Sequence, residues 1–476
     1  MSESIGEMIL PGTYIEVRAE GLIGVGGITT GNLGVVGTAH KGPVGEPQVL
    51  GSYAEALETF GSQDLWPGTN TTPALTLVRT LEQAFKGGAS TVYAVRVANL
   101  PADTAMRSMT WTVAGQAADG TLFTLTASSP GSWANAIVAK LTVAADKPAV
   151  LELTYKRLKE SFTGATAADL AREISDGSRL VRPSAVPDDK RAVAPQTITP
   201  AGNDALGGPD GAAATTTEIA AGLATLANKP VNLVVVGGLG ANTVAATVLA
   251  HLEATENDGR ERLAVLGATG DSLAQIDADA ALVGNPRVIL VTPGIVADDA
   301  ARTDANKAVK LPPAYAAALV AGRLATLAPH ISLTNKDVPA DDLTRDYTRA
   351  EQKQLLGKRA CVLAKNLGIR AVKGISTDSG PFKQISVRRI VDYAKAGVRI
   401  GSNPYIGRLN NSRVRAALKA TLDGFLSGMV LDEMLISYEL EVSATRAQEI
   451  NGQALVTLVL RPTFSIDFVK VIMNLE

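Results

Sequence analysis

VNLVVVGG at residues 231–238, followed by RLAVLGAT at 262–269 and RVILVTPG at 287–294, decides the fold class of this chain. Each is a short, almost unbroken apolar run closed by glycine or proline. The stretches between them, TVAATVLAHLEA (243–254) and SLAQIDADAAL (272–282), carry helical periodicity. Strands buried on both faces read as continuous apolar runs, so the pattern predicts a mostly parallel sheet covered by helices.

Toward the N-terminus the alternation continues. LGVVGTA (33–39) reads as a buried strand, and SYAEALETFG (52–61) as a helix with Ser52 and Glu55 in capping spacing and Gly61 as its stop. Pro73 is expected to open a second helix with Leu77, Leu81, Ala84 and Phe85 on one face, ended by Gly87 and Gly88; TVYAVRVA (91–98) returns as a strand. Between Leu100 and Glu218 the character changes. SMTWTVAG, TLFTLTA, AIVAKLTVAA and AVLELTYK are Thr- and Val-rich alternating segments, and a Pro-, Gly- and Ala-rich stretch follows at 194–218. This predicts a β-rich domain inserted into the α/β core.

Toward the C-terminus, Val414, Leu418, Leu422, Phe425 and Met429 fall at helical spacing, with Arg415, Lys419 and Asp423 stacked on the other side. ISYELEVS (436–443) alternates as a strand, and Asn451-Gly452 is a two-residue hairpin signal. The unit predicted is an α+β domain of helices on a small antiparallel sheet. Its last residues, TFSIDFVKVIMNLE (463–476), alternate as a strand but change phase between Phe468 and Val469. Such a strand either ends in its own sheet or departs onto another surface. TYIEVRAE (13–20) is a second half-apolar strand without neighbours, followed by a glycine-rich connector. The expected boundaries are an arm and linker at 1–26, the α/β core at 27–99 and 219–345, the inserted domain at 100–218, the C-terminal domain at 346–468 and a C-terminal arm at 469–476. No sequence repeat of fixed period is found.

Composition excludes several classes. The 476 residues are 46% hydrophobic and 19% charged with net charge -2, a balance that fits a globular chain rather than disorder. No apolar run approaches the roughly 18 residues of a membrane span. The opening MSESIGEMILPG shows no signal peptide, so cytoplasmic synthesis and assembly are expected. Cys361, the only cysteine, sits in apolar company and reads as a core residue. Charge is uneven: Arg345–Lys419 holds 17 Lys or Arg against 4 Asp or Glu. That basic stretch either meets an anionic partner or forms solvated helix faces; lacking interleaved aromatics, it does not point to nucleic acid.

The search for chemistry yields little. VNLVVVGGLGANT brings Gly237, Gly238 and Gly240 to a strand-helix turn, but Thr243 stands where a dinucleotide fingerprint needs its third glycine. No phosphate loop and no GxSxG occurs. His40, His251 and His330 are far apart without metal-ligand spacing, and the acid pairs Asp188-Asp189, Asp298-Asp299 and Asp341-Asp342 read as solvated turns. No catalytic, cofactor or metal residue is expected.

Several segments together resemble the sheath proteins of contractile phage tails: LPGTYIEVRAEG, the 34–61 and 73–98 stretches, SPGSWANAI (129–137), ISVRRIVDYAKAG (385–397), GRLNNSRVRAALKATLDGFLSGMV (407–430) and the last 28 residues from Glu449. The resemblance implies a structural protein that stacks as hexameric rings around an inner tube and contracts to drive that tube through a cell envelope. It implies a homo-oligomer with tube, baseplate and tail terminator proteins as partners, without nucleic acid or membrane insertion, located in a virion tail. Arm strands Tyr14, Ile15, Glu16, Val17 and Val469, Val471, Met473, Leu475 would pair with neighbouring subunits. Arg413, Arg415, Lys419 and Asp423 are the tube-facing candidates. Bacteriocins and extracellular injection machines share this logic; a nucleotide-dependent α/β enzyme with decorated termini is the alternative class.

Overall fold

The computed structural model describes residues 27–66, 75–99, 110–115, 120–184, 188, 190–194, 196, 198, 210–303 and 307–474. The expected N-terminal arm and Leu475 lie outside them. Two compact units result: 31–326 with 334–380, and 327–333 with 381 onward plus the residues just before Gly31.

The first unit opens with β1 (Leu33–Gly37), β2 (Gln48–Leu50), α1 (Tyr53–Phe60), α2 (Leu77–Gly87) and β3 (Val92–Arg96). Ser52 caps α1 by accepting from the Glu55 amide, while the Glu55 carboxylate turns back to the Gly51 amide. Pro73 lies outside the described residues, and α2 starts behind Thr76. A β-rich stretch follows: β4 (Thr110–Ala114), β5 (Thr121–Ala127), β6 (Ile137–Thr142), β7 (Ala149–Tyr155), β8 (Leu158–Gly164), α3 (Ala167–Gly177) and β9 (Val181–Pro183). Its antiparallel sheets, β4-β5-β9 and β6-β7-β8, enclose a core of their own with Trp111, Phe123, Trp133, Leu151, Leu153 and Leu170. Arg96, fully buried at the end of β3, ties the stretch to the α/β part by donating to the carbonyls of Gly42 (2.7 Å) and Pro130 (2.6 Å).

The chain then runs through α4 (Thr216–Leu226), β10 (Leu233–Val236), α5 (Ala241–Asn257), β11 (Leu263–Gly267), α6 (Leu273–Leu282), β12 (Val288–Thr292), β13 (Ile295–Asp298), β14 (Ala308–Leu311), α7 (Pro313–Ala325), β15 (Asp342–Leu343), α8 (Arg349–Gly357), β16 (Cys361–Lys365) and β17 (Ile369–Ala371). Eight strands form one sheet in the order β17-β16-β12-β11-β10-β1-β3-β2. All are parallel except the edge strands β2 and β17. Every residue of β10, β11 and β12 is buried, as their unbroken apolar runs require. One face packs on α4, α5 and α6 through Leu223, Val244, Val248 and Ile276. Helix α7, buried along most of its length, packs against β11 and against α2.

The expected boundary at 346 is corrected. β16 pairs in parallel with β12, so residues 361–371 extend the central sheet, and the next compact stretch begins at Pro381. The run CVLAK (361–365) lies within the basic segment, yet its first three residues are buried.

The second unit contains α9 (Ile385–Ser402), α10 (Ser412–Leu431), β18 (Leu435–Ser443), α11 (Arg446–Ile450) and β19 (Leu455–Pro462). β18 and β19 pair antiparallel, but Ser443 faces Leu455. Asn451-Gly452 is therefore no two-residue turn. A Thr445/Gln448 capping box starts α11 inside the connection, and Asn451 caps its end with Gly452 at φ 68. The same residue pair serves helix termini and hairpins, because both need a left-handed residue.

Candidate assembly surface

In the second unit α9 and α10 cross where Gly397 leaves room: a Cβ there would overlap the Phe425 ring. Ile390, Ala394, Leu426, Met429, Met434 and Leu435 form the core, and Tyr438, Leu440, Leu458 and Leu460 of the β18-β19 sheet pack against it. Buried Arg389 of α9 donates to the carbonyls of Leu327 (2.8 Å), Thr30 (3.1 Å) and Ala328 (3.3 Å), and burial pushes its pKa down to about 10. A bulge between Leu435 and Ser437 turns Ile436 outward, against the expected alternation. Among the described residues the sheet has only these two strands, so each has one edge without a strand partner.

Beyond Pro462 the chain does not continue the sheet. The Thr463 amide donates to Met434 O (3.1 Å), and residues 463–474 form neither helix nor strand. Gln384 holds the first part of this tail, accepting from the Ser465 amide (3.4 Å) and donating to Asp467 (3.3 Å). Phe464, Ile466, Phe468, Val469, Val471, Ile472 and Met473 are 60–85% exposed. Of the two readings of the last strand, pairing within its own sheet is not what the chain does. Among the described residues 22 large apolar side chains are exposed, and 15 of them belong to this smaller unit.

The basic candidates separate into two kinds. Arg413 and Lys419 are exposed on α10. Arg415 is not free: its side chain is 16% exposed, 2.9 Å from Glu449 Oε1 and 2.8 Å from Asn410 Oδ1. Hydrogen bonds from Arg446 and Arg415 hold the Glu449 carboxyl below its usual range. Asp423 is exposed and accepts from the Tyr438 hydroxyl (2.6 Å).

In the first unit the glycine loop after β10 is filled by the chain itself. Gly238 has φ +70, and a Cβ there would press on Thr76 and the Tyr315 hydroxyl; Gly237 abuts Thr80 and Gly240 abuts Thr269. A cavity of about 200 Å³ beside it is lined by Thr38, Trp66, Thr76, Leu239 and Tyr315, among others, with no cationic side chain among its described lining. That lining offers a diphosphate no counter-charge and includes the Asp210 carboxylate. Asp299 is no solvated turn residue: it is fully buried, 3.3 Å from Arg79 Nη2, and accepts from the Trp66 amide (2.8 Å). Among the described residues no group of three or more His, Cys, Asp or Glu is placed to hold a metal ion, and no helix is long and apolar enough to cross a membrane.

Two adjoining family models match the chain, the phage tail sheath protein central domain at residues 212–377 and the phage tail sheath C-terminal domain at 377–476. Together they cover more than half of it. The chain belongs to the phage tail sheath family. Solved sheath structures share its fold. The sheath tail protein of Desulfitobacterium hafniense is 20% identical with a TM-score of 0.65, over 95% of this chain and 100% of that one. The sheath tail protein of Listeria innocua is 14% identical with a TM-score of 0.68, over 92% and 93%. The helical sheath of the anti-feeding prophage in its contracted state is 13% identical with a TM-score of 0.56, over 99% and 100%. No curated protein sequence matches.

For this sheath protein the candidate residues therefore divide. Val469, Val471 and Met473 lie together on an exposed tail; Tyr14, Ile15, Glu16, Val17 and Leu475 fall outside the described residues; Arg413 and Lys419 are exposed on α10, while Arg415 and Asp423 serve internal bonds. Ile406 and Leu409 sit in a loop where no period applies, and Ile436 sits in a bulge that breaks the alternation expected of its strand.

Proposed function

We propose that this sheath protein polymerises as stacked six-membered rings around an inner tube and contracts to drive the tube through a cell envelope. Its place is a virion tail or a related contractile particle, bounded by baseplate and terminator proteins. The observation that carries the reading is the tail: strand-like in sequence, joining no sheet of its own chain among the described residues, and attached to a two-stranded sheet with open edges. An extended segment and an open edge are the two halves of strand addition, in which backbone hydrogen bonds give affinity and alternate side chains find pockets. Each large apolar side chain so buried contributes about 1.5–3 kcal/mol before ordering costs. Ring-to-ring contacts of this head-to-tail kind do not close, so they propagate as a filament. Tyr14–Val17 and Val469–Leu475 are the donated strands, and the energy of contraction is a difference in interface packing between two lattices, without a nucleotide.

Negative-stain electron microscopy of the full chain, with and without tube polymers, beside a chain ending at Phe468 tests this. Cylinders or stacked rings from the full chain, lost on truncation, are expected. Dispersed particles from the full chain in both conditions would overturn it.

A further inference from the structure

The sheet order sets β1 beside β10, and the chain leaves them in opposite directions, β1 toward β3 and β10 toward β11. Such a switch point leaves a crevice outside the carboxyl ends of the two strands, where open α/β sheets take their ligands. Thr38 follows β1 and Gly237 follows β10, and both line the cavity of about 200 Å³. Its described lining belongs entirely to the larger unit, so the site is independent of the assembly surface. The walls are fixed. Trp66 donates from its indole to Lys310 O (3.2 Å) and stands edge-on to Tyr315, with ring centroids 5.7 Å apart. The Thr38 and Thr76 hydroxyls are committed, each accepting from the other residue's backbone amide (3.1 Å). Asp210 accepts from the Ser132 amide and hydroxyl, both at 2.8 Å. Tyr315 differs: it is fully buried, and its hydroxyl has no hydrogen-bond partner among the described residues. Native proteins pair nearly all buried polar groups. Burial pushes the Tyr315 pKa up, so this hydroxyl keeps its proton and can both donate and accept.

Size and charge select the occupant. An apolar cavity of about 150 Å³ takes benzene, so this one accommodates a single ring with one small substituent. Leu75, Ile219 and Leu239 supply apolar surface, while the Asp210 carboxylate, with no cationic side chain in the described lining, opposes an anion. Arg79 stacks on the Trp66 ring at 5.4 Å but is outside that lining and paired with Asp299. The site does not call for a cation either, because the charge of Asp210 already acts on buried Arg96. We propose that the cavity is a binding site for a small neutral phenol, its hydroxyl bonded to Tyr315 and its ring held among Trp66, Leu75, Ile219 and Leu239. Bound there, the phenol braces residues 210–214, through which the chain returns from the β-rich stretch to α4.

The test is isothermal titration calorimetry of the full chain with phenol, toluene and benzoate, with melting temperatures measured by scanning calorimetry. Phenol is expected to bind more tightly than toluene and to raise the melting temperature by mass action; benzoate is expected not to bind. Tyr315→Phe occupies the same space and is expected to weaken phenol binding about tenfold, the worth of one hydrogen bond, while leaving toluene unchanged. Leu239→Trp is expected to abolish binding of both by filling the cavity. Toluene bound with phenol rejected would overturn the proposal, since the cavity would then be purely apolar. So would phenol binding that both variants leave intact, which puts the ligand elsewhere. Binding of neither probe would overturn it as well, leaving the Tyr315 hydroxyl to a buried water.

Discussion

Asp299 and Arg79 show what a single buried pair does here. Neither side chain has exposed surface, and the carboxylate also receives the Trp66 and Ala301 amides, so it holds the 61–66 segment onto the β13-β14 hairpin. Removing one member leaves the other charged and buried, which costs about 3–5 kcal/mol. Asp299→Ala is therefore expected to lower the stability of the first unit by that amount in denaturant titration; an effect near zero would mean the pair is relieved by water. His251 offers a pH test. Its Nε2 sits 3.1 Å from Arg262 Nη1, and burial, then the guanidinium charge, push its pKa from 6.5 to about 4. The folded form resists protonation that the unfolded form accepts, so this contribution is present above pH 6.5 and is lost as pH falls from 6.5 toward 4. Melting temperatures should drop over that window, and less steeply in His251→Gln, which keeps an acceptor for Arg262.

Among the elements, the α9-α10 crossing is fixed by one missing side chain. Gly397→Ala would drive a methyl group into the Phe425 ring, and overpacking of this sort costs about 1–3 kcal/mol. Gly397→Ala should destabilise the second unit, and adding Phe425→Leu should recover part of the loss; no recovery would place the strain elsewhere. What the sequence disclosed follows from which elements have a period. The central strands were legible because both faces are buried, leaving nothing but apolar residues in VNLVVVGG and its companions. The pattern of α10 was legible too, with Leu418, Leu422 and Met429 buried as spaced. What failed were features set by a neighbour distant in sequence. Arg415 stands on the polar side of α10 and looks solvated until α11 brings Glu449 to it, and Asp299 looks like a turn residue until Arg79 arrives from α2. Asn451-Gly452 failed for another reason, since helix ends and hairpins ask for the same backbone. A charge-reversal test of the basic face should therefore use Arg413 and Lys419: reversing Arg415 is expected to unseat α11 whether or not any partner is present.

Across the whole molecule, apolar exposure and fold stability are divided unequally. The larger unit buries its central parallel strands under helices, whereas the smaller one carries most of the exposed large apolar side chains and a sheet of two strands. A two-stranded sheet alone is marginal in water, and this one depends on the helices packed behind it. Partners that bind only the folded form add stability by mass action, and on the proposed function those partners act on the smaller unit. The two parts should then respond differently to concentration. Trp66, Trp111 and Trp133, the only tryptophans, all lie in the larger unit, so their fluorescence follows that unit while far-ultraviolet circular dichroism follows both. Raising the protein concentration through the range where assembly begins is expected to move part of the dichroism transition to higher temperature, with the tryptophan transition almost fixed. The chain ending at Phe468 should lose that dependence. If both probes moved together in the full chain, assembly would be stabilising the two units alike, and the tail would not be the element through which subunits hold one another.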